Sequence, residues 1–84
     1  MTDKAHIQNL INHGAMLVNQ ETGELTNLTL EFYRHQLDWL HRNKAIACTY
    51  EMILPGIDET MGLRIRKDGH VDSGSMESIE MLEG

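Results

Sequence analysis

A change of hydrophobic period at Lys44/Ala45 constrains this chain more than any other feature. Before it, apolar residues recur at helical spacing; from Ile46 to Leu54 they alternate strictly. Such a shift marks helices followed by strands, an α+β order. The 84 residues leave room for one domain and one small core. A core that small gains stability from self-association.

The first apolar stripe comprises Ile7, Leu10, Ile11, Gly14, Leu17 and Val18. It predicts a helix from Thr2 or Asp3, either able to cap it, to about Asn19. Gly14 inside that stripe costs helix stability, and is tolerable where another element must approach closely. Asn19–Glu24 is a polar connection broken by Gly23. A second helix is predicted from Thr26 or Asn27 to about Asn43. Leu30, Tyr33, Leu37 and Leu40 form its main stripe, and Leu28, Phe32 and Trp39 fall roughly opposite.

In the alternating segment Ile46, Cys48, Tyr50, Met52 and Leu54 share one face of a strand. Continuation of the second helix through Ala45–Ile53 is the rival reading. Pro55-Gly56 ends the segment. Met61, Leu63 and Ile65 then alternate with Arg64 and Arg66, and Asp68-Gly69 signals a hairpin. A two-residue loop would set Val71 among charges. A three-residue Lys67-Asp68-Gly69 loop instead pairs Val71 with Ile65 and Asp72 with Arg64, with Gly69 in the left-handed conformation. The expected fold is therefore two antiparallel helices packed on a three-stranded antiparallel meander (ααβββ) within residues 1–75. Residues 76–84 read as an acidic C-terminal tail, compatible with a frayed strand, a short helix or an arm ordered on a partner.

The net charge of −6 disfavours a phosphate-backbone partner and suits a basic protein surface. A single cysteine, Cys48, permits no internal disulfide and fits a reducing compartment. The polar start Met1-Thr2-Asp3-Lys4 lacks the pattern of a secretory signal, and no apolar run is long enough to span a membrane, so a cytoplasmic location is expected.

Each chemical motif is outweighed by an ordinary explanation. Glu31, His35 and Asp38 share a helical face, but beside Arg34 and Arg42 they read as salt-bridged surface rather than as metal ligands. An EF-hand alignment on Gly69 would put Arg64 and Arg66 at ligand positions, which excludes calcium. Cys48 points with Ile46 and Tyr50 toward the core, where a thiol is an inert small hydrophobe. No glycine-rich loop carries a lysine for phosphate. The sequence therefore predicts no enzyme, cofactor or metal site. Arg64, Arg66 and Lys67 offer a nucleic-acid contact, but acidic residues surround them.

The two-sided second helix is the best functional lead. Phe32 and Trp39 are the only Phe and Trp of the chain, and both lie off the main stripe. They read either as anchors for a partner or as side chains packed beneath the sheet. The expectation is a non-enzymatic protein-binding module that inhibits or regulates a larger complex. It contacts its partner through Leu28, Phe32 and Trp39, while Glu77, Glu80 and Glu83 steer a basic surface. In general character the chain is similar to small acidic α+β proteins of phages and mobile elements, many of which occupy a surface on a host complex. That likeness transfers no residue roles. The alternatives are a small homo-oligomer holding a ligand between subunits, and a nucleic-acid-contacting regulator using the hairpin.

Overall fold

In the computed structural model, which describes residues 3–83, the first helix stops at a glycine. Helix α1 (Asp3–Asn12) ends with Gly14 at φ +80°, a left-handed conformation that costs glycine little. The Ala15 N–H reaches back to the Leu10 carbonyl at 3.1 Å and the Gly14 N–H to the Ile11 carbonyl at 2.9 Å. This is the Schellman pattern, which satisfies the last carbonyls of a helix. The expected helix to Asn19 is thereby corrected: Gly14 terminates α1 rather than interrupting it. The proposed cap Thr2 lies outside the described residues.

The chain beyond Gly14 extends instead into a short hairpin, β1 (Met16–Val18) and β2 (Leu25–Asn27), joined by the polar Asn19–Glu24 turn. Asn19 holds that turn with its side-chain oxygen, which accepts from the backbone N–H of Glu21 at 2.9 Å and of Thr22 at 3.3 Å. Thr26 and Asn27 thus belong to a strand. Helix α2 (Leu30–Arg42) is capped by Thr29, whose Oγ1 accepts the Phe32 N–H at 3.0 Å. It ends as α1 does: the Ala45 N–H bonds the Leu40 carbonyl and the Lys44 N–H the His41 carbonyl. Here the left-handed position is held by Lys44, at φ +54°.

Strands β3 (Ala47–Ile53), β4 (Met61–Arg66) and β5 (Val71–Ser75) follow as the expected meander. Ile65 pairs with Val71 and Arg64 with Asp72, and Gly69 has φ +93°. The register inferred from matching charge to charge and apolar to apolar is therefore the one adopted. Ile46 is an exception to the alternating face: it precedes β3 and is 73 % exposed.

All five strands are antiparallel and lie in the order β2-β1-β3-β4-β5. The fold is α+β, but among the described residues it has three helices and a five-stranded sheet rather than the ααβββ arrangement. Leu17, Met52, Leu63, Ile65 and Val71 face inward and close a core with Ile7, Leu28, Tyr33 and Leu40. The Tyr33 hydroxyl donates to the Gly69 carbonyl, tying α2 to the β4–β5 turn. Asp3 accepts the Val71 N–H at 3.1 Å, satisfying one outward donor of the β5 edge.

Residues Met76–Glu83 form helix α3, which starts directly after β5 and crosses the opposite face of the sheet. Gly62, paired with Gly74 across β4 and β5, leaves room for it. Ile79 fills that room and is buried, which contributes about 1.5–3 kcal/mol. Glu83 accepts a hydrogen bond from the Thr49 hydroxyl, so the helix reaches β3 at its far end. Of the three readings of the C-terminal segment the short helix is the one adopted, packed on the sheet, while Gly84 lies outside the described residues.

Candidate interaction surfaces

Leu28, Phe32 and Trp39 do not form one stripe. Leu28 precedes α2 and is buried in the core, a position that corrects its assignment as a contact residue. Phe32 is half-buried and packs edge-on against Tyr50, with ring centroids 5.3 Å apart and planes at 72°. That geometry suits the aromatic quadrupole and gives Phe32 a structural partner. Trp39 alone points outward, 40 % exposed near the C-terminal end of α2. Glu77, Glu80 and Glu83 are exposed on α3, on the other side of the sheet.

The basic residues of the hairpin are largely engaged. Asp72 lies 3.0 Å from Arg66 Nε and 3.9 Å from Arg64 Nη1, and little of Arg64 reaches solvent. Lys67, in the loop, is exposed. His70 stands between two carboxylates, Nδ1 at 3.3 Å from Asp3 and Nε2 at 3.1 Å from Asp72, and links the start of α1 to β5. Asp38 pairs with Arg42 at 3.0 Å on the surface of α2. Among the described residues no group of three or more His, Cys, Asp or Glu side chains is placed to hold a metal ion. No helix among them is long and apolar enough to cross a membrane.

A depression of about 540 Å³ opens where β1 turns away from β3. Leu17, Phe32 and Tyr50 form its apolar wall, and Glu21 and Glu51 stand at its rim. The Tyr50 hydroxyl donates to the Gln36 side-chain oxygen. Burial pushes the Tyr50 phenol well above its ordinary value, with Cys48 alongside adding to the effect. Through Gln36 and Phe32 the wall is held by α2 from behind. Sequence reasoning missed this site because it requires β1, whose three residues are too few to show alternation.

No protein-family model matches the chain, and no curated protein or solved structure matches it either.

Proposed function

We propose that this chain is a non-enzymatic protein-binding module that inhibits or regulates a larger complex. The reading is carried by Trp39, the sole tryptophan of the chain and its largest side chain, which lies on the surface while α2 completes the core through Tyr33 and Leu40. Tryptophan buries a large area on binding and loses little conformational entropy, which makes it a frequent interface anchor. The charge of −6 and the exposed carboxylates of Glu77, Glu80 and Glu83 favour a partner with a basic surface.

The test is retention of a stoichiometric partner by the tagged protein at physiological salt, compared with Trp39→Ala. Loss of an anchor typically costs at least about 2 kcal/mol, or roughly 30-fold in affinity. A Trp39→Ala protein that stays folded and holds its partner at full affinity would refute the assignment.

A further inference from the structure

The pairing register shows an unfilled position in the middle of the sheet. Strand β3 runs from Ala47 to Ile53, but β1 pairs only with Glu51–Ile53. Hydrogen bonding alternates along an antiparallel strand, so each residue faces one neighbour or the other. The Lys67 N–H donates to the Ile46 carbonyl, which assigns Ile46, Cys48, Tyr50 and Met52 to the β4 side. Ala47, Thr49, Glu51 and Ile53 must then direct their N–H and C=O groups toward β1. Val18 and Met16 lie opposite Glu51 and Ile53. Nothing lies opposite Thr49 and Ala47, because Asn19 turns β1 back toward β2, with its N–H on the Glu24 carbonyl. Two donors and two acceptors of an otherwise internal strand are thus left without a backbone partner among the described residues.

This edge differs from the two outer ones. On β5, Asp3 already accepts the Val71 N–H, and β2 is only three residues long. The β3 edge, by contrast, opens onto the depression walled by Leu17, Phe32 and Tyr50. A strand laid against Thr49 would direct its flanking side chain to the inner face, opposite Tyr50, where that apolar wall stands. Its next side chain would fall on the outer face beside Thr49 and Glu51. Glu21 and Glu51 carry the formal charges of the lining, and no Lys or Arg belongs to it.

We infer that this notch receives an extended segment of a partner protein by β-strand addition, with one apolar side chain in the pocket and a Lys or Arg beside it. Backbone bonds to Ala47 and Thr49 supply affinity, the pocket selects the apolar residue, and the two carboxylates select the neighbouring cation. The inference rests on the protein-binding reading and specifies a second contact, separate from Trp39.

The experiment selects displayed random short peptides on the full chain and maps backbone amide exchange with the best synthetic peptide bound. The expected peptides share an apolar residue flanked by Lys or Arg, and slow exchange at Thr49 and Ala47. Methylating the peptide nitrogen that faces Thr49 should weaken binding about tenfold. Thr49→Pro removes one notch-facing N–H and leaves the β3–β4 ladder intact, so it should lose peptide while remaining folded. Even if that variant unfolds, the methylated peptide still decides the question. Failure to enrich any peptide, protection confined to other residues, or indifference to methylation overturns the inference. So does a dimer in which the same amides are protected without peptide, since the notch would then belong to a second copy. A partner lost with Trp39→Ala but retained by Thr49→Pro would overturn the notch alone and leave the binding module standing.

Discussion

Gly62 and Ile79 occupy one volume between them: a Cβ placed on Gly62 would lie 2.7 Å from Ile79 Cγ1 and 3.0 Å from Ile79 Cβ. Such a carbon cannot be housed by rotating a flexible tip, because the obstructing atoms are the branched root of a buried side chain. Helix α3 would have to lift.

Gly62→Ala is therefore expected to destabilise the fold by about 1–3 kcal/mol, measured by urea unfolding. Ile79→Ala alone should cost about 2–4 kcal/mol through lost burial. The two together should cost less than their sum, because each removes the reason for the other's effect. Additive costs would show that α3 does not depend on this contact.

Two helices end in the same hydrogen-bond pattern, one on Gly14 and one on Lys44, both at positive φ. A side chain in that conformation is disfavoured by roughly 1 kcal/mol. Lys44→Gly should accordingly raise stability by about 0.5–1 kcal/mol, and Gly14→Ala should lower it by at least as much. The latter also brings a methyl to 3.3 Å from Pro55 Cγ. Thermal melting of the two variants, shifting in opposite directions, is the check.

Thr29, not Thr26 or Asn27, caps α2. Thr29→Ala should cost about 1 kcal/mol, while Asn27→Ala, exposed on an edge strand, should change stability by less than about 0.5 kcal/mol. Equal effects in chemical denaturation would place the helix start elsewhere.

Both tyrosines are held neutral. Burial raises the Tyr33 phenol, with the charges of Asp3 and Asp68 adding to it, and burial likewise raises Tyr50. In the unfolded chain both ionise near pH ~10. Above that pH the unfolded state sheds protons the folded state retains, so stability falls as pH rises. The contribution is whole below pH ~10 and is lost progressively up to the folded-state values. Unfolding free energies measured between neutral pH and about pH 11 should show this decline, and Tyr33→Phe/Tyr50→Phe should flatten it. An unchanged slope in the double variant would assign the alkaline loss to other groups.

The sequence was legible where two independent patterns agreed. Around Gly69, charge and hydrophobicity both specify which residues of β4 and β5 face each other, and Ile65–Val71 and Arg64–Asp72 follow. It misled where a short strand mimicked a helix. Leu17 and Val18 extend the stripe of Ile7, Leu10 and Ile11 at helical spacing, yet Gly14 has already ended the helix. Gly14 itself was the available signal, since a glycine at that point can end a helix as readily as interrupt it. Helix α3 was one of three readings of residues 76–84 and was not singled out, because its seat depends on an absence, Gly62, which carries no apolar signal of its own. Trp39 was legible as a candidate, whereas Leu28 was assigned by a helical angle that does not apply before Thr29.

The order β2-β1-β3-β4-β5 has a consequence for how the sheet comes together. Neighbouring strands are consecutive in the chain except β1 and β3, which are separated by β2 and the whole of α2. Loop-closure entropy therefore concentrates on that single seam, only three residue pairs wide. The two hairpin systems on either side can each form locally and then meet there. That seam adjoins the unpaired stretch of β3, so the place where the two halves of the sheet must meet lies beside the edge offered to a partner's strand.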